Sequence, residues 1–260
     1  MFVSKSPPEH VVFIPGFMCD ERLFKPQTDM LSLLGISFSF ELMTEGSTIR
    51  EFAIHALKCI PSRVALVGLS MGGIVALQIM RMAPERISHL ALLNTTPHED
   101  RSQSRRKTQI KRARNGELAE VIREELKPKY LSPASSKEAI VPMIADMADR
   151  LGTEVFVKQS IALMIRKSAL RDLASINCPT TILTGEDDLV CTPQVHLEMA
   201  EVIKDSCVKL IPACGHLSTL ESPEIVNQAL CEHWGLNAPN VLKFPIRRSL
   251  ANQAALKETS

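Results

Sequence analysis

A chain of 260 residues with 45% hydrophobic content can bury one substantial core, the size of a single large α/β domain. Its formal net charge of +1 argues against a general affinity for nucleic acid or for acidic membrane surfaces. The stretch from Met1 to His10 lacks the apolar core of a secretory leader, and no run approaches the length needed to span a bilayer. The seven cysteines are odd in number, scattered and without a C-x-x-C pair, which suits reduced thiols in a cytoplasm.

In chain order, strand-like and helix-like segments alternate as in a parallel sheet. Val11–Ile14 reads as a first strand, Pro26–Leu34 as a helix, and Ile36–Glu41 as a second strand with alternating apolar positions. Thr48 is placed to cap a helix running through Leu57. Val64–Val67 reads as a buried central strand, followed by a helix to about Ala83, Pro84-Glu85-Arg86 as punctuation, and the strand Ile87–Leu93. From about Pro97 to Ser175 the pattern turns helical, with breaks expected at Gly116, Pro128, Pro133, Pro142 and Gly152. Strands resume at Thr180–Thr184 and again at Val208–Ile211. Glu221-Ser222-Pro223-Glu224 reads as the start of a last helix, with Ser222 as N-cap and Pro223 at its first position. After Trp234-Gly235 periodicity is lost. The expected division is a core of residues 1–96 and 176–240, a helical insertion of 97–175 and a polar tail of 241–260. The fold class is α/β, with roughly six strands in a parallel sheet flanked by helices.

The stretch Val64-Ala65-Leu66-Val67-Gly68-Leu69-Ser70-Met71-Gly72-Gly73 holds the most chemistry. It is G-x-S-x-G between a strand and a helix, where the turn is too tight for a Cβ at the glycines and the serine is pushed out over the sheet edge. A lone serine hydroxyl is a weak nucleophile, so a base and a group to orient it are required. Two later motifs supply them: Gly185-Glu186-Asp187-Asp188 and Pro212-Ala213-Cys214-Gly215-His216, each just past the end of a strand-like run. In open α/β sheets that is the edge where sites assemble.

Together these motifs resemble the α/β-hydrolase superfamily, in its esterase-like, helical-cap form, from Val11 to about Gly235. The resemblance implies that Ser70 is the nucleophile, His216 the base and Asp188 the acid, since the family acid falls three residues after the glycine; Asp187 is the competitor. It implies an oxyanion hole from the backbone N–H groups of Met71 and Phe17, the latter in Pro15-Gly16-Phe17, where the family usually has His-Gly. The helical insertion becomes a cap, with Met143, Met147, Phe156 and Met164, and also Ile144, Ile161 and Ile165, as candidates for an acyl pocket. No metal or organic cofactor is called for.

The function so implied is hydrolysis of carboxylic esters, with thioesters or lactones included, of small to medium acyl groups. A cofactor-free lyase or carbon–carbon bond hydrolase on the same triad is the alternative enzyme, and a ligand receptor on this fold is the non-enzymatic one. The expected partner is a small-molecule ester. The segment Arg101 to Arg114 has no acidic residue and reads as a solvated helix face or as a dock for an anionic partner such as an acyl carrier protein. Cys19 and Cys214 flank the site and read as packing residues, and His10, His55, His89, His98, His196 and His233 read as surface or packing histidines.

Overall fold

The computed structural model describes residues 6–126, 129–135, 137–236 and 247–248. The first half builds β1 (His10–Ile14), α1 (Lys25–Leu33), β2 (Ser37–Phe40), α2 (Ile49–Cys59), β3 (Val64–Leu69), α3 (Met71–Met82) and β4 (Ile87–Leu93). After a helical stretch come β5 (Thr180–Gly185), α7 (Pro193–Val202), β6 (Ser206–Ile211), α8 (Ser218–Glu221), α9 (Pro223–His233) and β7 (Arg247–Arg248). The sheet order is β2-β1-β3-β4-β5-β6-β7. Six strands are parallel, and β7 pairs antiparallel with β6 through Cys207 opposite Arg248 and Val208 opposite Arg247. That seventh strand lies in the segment expected as a polar tail. Two arginines carry no apolar alternation, so nothing in their pattern announced it; the rest of 241–260 lies outside the described residues.

Local chemistry explains the ends of these elements. Thr48 Oγ1 accepts from Glu51 N–H at 3.0 Å while Glu51 Oε2 accepts from Thr48 N–H at 3.1 Å, a capping box that satisfies two N–H groups at the start of α2. Ser222 does occupy the N-cap position of α9, but its side chain makes no capping bond there.

Each strand sends alternate side chains to opposite faces, and the core divides accordingly. Val12, Ile14, Val64 and Leu66 pack with α2, α3 and α7 on one face. Val11, Phe13, Ala65, Val67 and Leu69 pack with α1 and α9 on the other. Both faces of β3 are fully buried, as the centre of a parallel sheet requires. Each large apolar side chain so buried contributes roughly 1.5–3 kcal/mol.

Between β4 and β5 the described residues hold helices and no strand: α4 (Gln103–Arg114), α5 (Leu118–Glu120) running into a π-turn over Val121–Leu126, and α6 (Lys137–Ile165). Gly152, at φ 74° and ψ 177°, divides α6 into two helices, as expected, and Gly116 at φ 90° separates α4 from α5. Pro142 does not break the chain; it lies inside α6. A proline forfeits its bond to the carbonyl four residues back, yet the buried Ile144, Met147 and Ala148 in the next turn hold the helix against the body. Pro128 lies outside the described residues.

Candidate active site

Ser70 sits between β3 and α3 at φ 55° and ψ −114°, a backbone conformation costing about 1–3 kcal/mol for a residue with a Cβ. The surroundings enforce it. A Cβ on Gly72 would lie 1.9 Å from the Ile14 carbonyl oxygen, and one on Gly68 would lie 2.5 Å from the Gly72 carbonyl oxygen, so the turn closes only with glycine at both. Ser70 N–H donates to Leu93 O at 2.9 Å and its carbonyl accepts from Thr95 Oγ1 at 2.7 Å. The hydroxyl is thereby held above the ends of the parallel strands.

The other two groups arrive from the ends of β5 and β6. His216 Nε2 lies 2.9 Å from Ser70 Oγ, and its Nδ1 lies 2.9 and 3.0 Å from the two carboxylate oxygens of Asp188. With Nδ1–H donating to the carboxylate, Nε2 is left as the acceptor for the serine proton. Asp188 also accepts from the N–H groups of Val190 and Cys191 at 2.8 and 2.9 Å and from Asn94 Nδ2 at 3.0 Å. Burial alone would raise its pKa; the imidazole and these donors outweigh it and hold the carboxyl down at about 2. Asp187 turns elsewhere: its Oδ2 accepts from Ser132 Oγ at 2.5 Å. Adjacent acids thus have separate partners.

The Pro15–Phe17 loop runs against the elbow, for a Cβ on Gly16 would come within 3.5 Å of Ser70 Cβ. The next residue, Met18, is at φ 53° and donates its N–H to Gln159 Oε1 at 2.9 Å, while Gln159 Nε2 donates to Met43 O at 3.0 Å. Gln159 belongs to the second half of α6 and is almost fully buried, so the insertion itself fixes the loop. Met71 opens α3, whose N-terminal N–H groups and dipole favour negative charge beside Ser70.

Four residues that brace the site escaped the sequence reading. Asn94, at φ 47° past the end of β4, ties Asp188 to Gly215 O (3.1 Å) and accepts from Ser218 Oγ. Glu221 accepts from the N–H groups of Gly215, Leu217 and Ser132 at 3.0, 3.0 and 2.8 Å, bracing the histidine loop against the insertion. Gln159 is the third. Asn94 had one available signal, a polar residue at the same strand edge as Ser70; Gln159 and Glu221 sit in helical segments with none. Tyr130 joins them, accepting from His216 N–H at 2.7 Å with its ring 5.4 Å from the imidazole.

The acyl-pocket candidates divide. Phe156 is fully buried and meets Phe17 edge-on at 5.3 Å between centroids. Met147 and Ile144 are buried, with Met143 half-buried, in the core cluster that also holds Leu131, Cys214 and Leu217. Ile161 is half-buried against the other cluster, and Met164 is half-buried. Ile165 is 51% exposed, facing away as the last residue of α6. Cys19 and Cys214 are buried free thiols whose pKa values burial pushes up to about 12, with Asp20 and Glu221 respectively adding to the effect, so both are packing groups. His196 is fully buried, with Nε2 accepting from Thr95 N–H at 2.9 Å and Nδ1 3.0 Å from Thr192 O. The basic segment is partly neutralised by neighbours: Arg106 pairs with Asp100, and Arg112 with Glu117 and Glu125.

The sequence and the fold that carry this arrangement have counterparts among known proteins. A family model described as alpha/beta hydrolase matches residues 11–229. The chain belongs to the alpha/beta hydrolase family. It is a hydrolase of this fold. A similar protein is the (E)-2-((N-methylformamido)methylene)succinate hydrolase of Acinetobacter baylyi, 25% identical over 85% of this chain and 89% of that one. Among solved structures, a thermophilic esterase from Thermogutta terrifontis is similar with a TM-score of 0.76 and 24% identity, covering 88% of this chain and 90% of that one. The enol-lactonase from Burkholderia xenovorans superimposes with a TM-score of 0.72 and 19% identity over 88% and 92% of the two chains. Among the described residues of this hydrolase no helix is long and apolar enough to cross a membrane.

Proposed function

We propose that this hydrolase cleaves carboxylic esters, thioesters and lactones included, through an acyl-enzyme on Ser70. The observation that carries the reading is the 2.9 Å contact between Ser70 Oγ and His216 Nε2 with Asp188 on the far side of the ring. His216 takes the hydroxyl proton as Ser70 Oγ attacks the ester carbonyl carbon, and Asp188 stabilises the imidazolium. The oxyanion that forms is met by the N–H groups of Met71 and Phe17, each such donor being worth about 3–4 kcal/mol in the transition state. Collapse of the intermediate breaks the bond to the leaving group, which takes the proton from His216. Water then repeats the sequence and releases the acid. Helices α4 to α6 serve as the cap, and Phe156, Met147, Met143 and Met164 shape an apolar acyl pocket for small to medium groups. The relative from Acinetobacter baylyi, named a hydrolase, and the structure from Thermogutta terrifontis, named an esterase, support a hydrolytic reading. A panel of esters of graded acyl length, with a thioester and a lactone, tests the reading on the parent protein and on Ser70→Ala. Turnover that requires Ser70 supports it. A folded parent inactive across the panel overturns it.

A further inference from the structure

Beside the oxyanion loop, two guanidinium groups share one carboxylate. Asp100 is almost fully buried, with side-chain exposure of 6%, and its Oδ2 accepts from Arg106 Nε. Arg166 Nη1 lies 3.7 Å from that same oxygen, with the Arg166 side chain only 9% exposed and that of Arg106 19%. The other Asp100 oxygen is taken by Ser102 N–H at 2.7 Å. Arg166 is otherwise held by neutral acceptors, His98 O at 2.9 Å and Leu163 O at 3.0 Å. Carboxylates on adjoining elements are committed elsewhere: Glu125 to Gln109 and Arg112, Glu198 to His98. The cluster therefore has two positive charges against one negative, inside the folded body. Its shortage of negative charge is felt: burial works against the Arg166 cation, Arg106 adds to the burden, and Asp100 offsets only part of it.

The location gives this charge a use. The Arg106 guanidinium carbon stands 5.6 Å from the centroid of the Phe17 ring, and Phe17 is the residue after Gly16, which abuts Ser70. Burial pushes the Tyr130 phenol up while the Arg106 charge acts against it, and the Tyr130 ring lies beside His216. Burial and Asp188 raise the Cys191 thiol and Arg166 opposes them, and the backbone of Cys191 donates to Asp188. The cluster thus borders the oxyanion loop, through Arg106 against Phe17.

We propose that Arg106 and Arg166 form an anion-binding subsite next to the Ser70 site, and that the preferred substrate is an ester bearing a free carboxylate, such as a half-ester of a dicarboxylic acid. The assignment rests on the ester-hydrolase reading and names its substrate class. A carboxylate completing the cluster would make charge-assisted hydrogen bonds with guanidinium geometry suited to it. Such a bond in a shielded site raises affinity by on the order of 10- to 100-fold.

The test compares monoethyl glutarate with ethyl valerate, which match in chain length and differ in the terminal carboxylate. The parent protein should favour the glutarate half-ester in kcat/KM. Arg106→Gln should lower that preference by about 10- to 100-fold, through KM more than kcat. Arg101→Gln, an exposed charge of the same segment, should leave the preference unchanged. Calorimetric titration of Ser70→Ala with monoethyl glutarate, with and without Arg106→Gln, reads binding apart from turnover. Ser70-dependent turnover of ethyl valerate without preference for the charged ester would overturn the subsite and leave the hydrolase reading standing. Arg106-dependent binding in a protein that turns over no ester would remove the ester reading and keep the carboxylate site.

Discussion

The edge of the sheet and the helical insertion above it contribute to the same site in different ways. At the edge, Ser70, Asp188 and His216 are held by backbone: strand ends, two crowded glycines and N–H donors fix each group within a few residues of a strand. The insertion instead works by long-range bonds, from side chains at Gln159 and Ser132 and from the backbone at Tyr130. Gln159 reaches Met18 across 141 residues of sequence, Tyr130 O receives the His216 N–H, and Ser132 occupies Asp187. In the proposed mechanism the edge carries the reacting groups, and the insertion sets how accurately they are presented. Substitutions at the edge should therefore remove chemistry, and those in the insertion should weaken it by degrees.

The largest expected effect is at the base. His216→Gln should abolish ester turnover in a protein that keeps its circular dichroism and melting behaviour, because the ring sits in a loop past β6 and its loss opens no sheet core. Substantial activity in the folded variant would break the comparison at its strong end.

Asp188→Asn should lower kcat by about 10⁴-fold, the scale seen when a triad acid no longer sets the histidine tautomer. Asp187→Asn should cost far less, since Asp187 faces Ser132. Steady-state kinetics on one ester suffices, and a reversed ranking would move the acid to the neighbouring residue.

His196 links the edge to stability. Burial lowers its pKa from 6.5 to about 4, so the folded state holds it neutral while the unfolded chain protonates it near 6.5. Its contribution is complete above that value and is lost as pH falls from 6.5 towards 4, amounting to roughly 3 kcal/mol by linkage. Denaturant titrations across this window should show the loss, and His196→Gln should flatten that part of the profile. An unchanged slope in the variant would assign the acid sensitivity elsewhere.

The smallest effect sharpens the role of the insertion. Gln159→Leu should lower kcat by about tenfold, leaving KM little changed, because it frees the Met18 N–H and with it the loop beside Ser70. A change confined to KM would make Gln159 a pocket residue and not a positioning one.

What the sequence disclosed follows the same division. Ser70, Asp188 and His216 were legible because each lies just beyond an apolar run whose end can be read, and the glycines flanking Ser70 announce a turn that sterics demand. Ile87–Leu93 emerged with the expected bounds for the same reason. Asn94, one residue farther on, offered only its place at that strand edge, which does not by itself tell a hydrogen-bonding amide from a loop residue. Gln159 was hidden more deeply, since its partners Met18 and Met43 are brought near only by the tertiary fold, as is Ser132, the distant partner of Glu221. Pro142 misled because a proline is a helix breaker by local rule, and packing of the following turn overrides it. Ile165 misled because helical spacing predicts a face but not where the helix stops facing the body.

The most direct test of the central claim is mass spectrometry of the protein after treatment with a serine-directed fluorophosphonate. The account predicts a single adduct, mapped to the peptide containing Ser70, formed in step with loss of esterase activity and strongly slowed in His216→Gln. An adduct on a different residue, or full activity in protein quantitatively modified at Ser70, would contradict it.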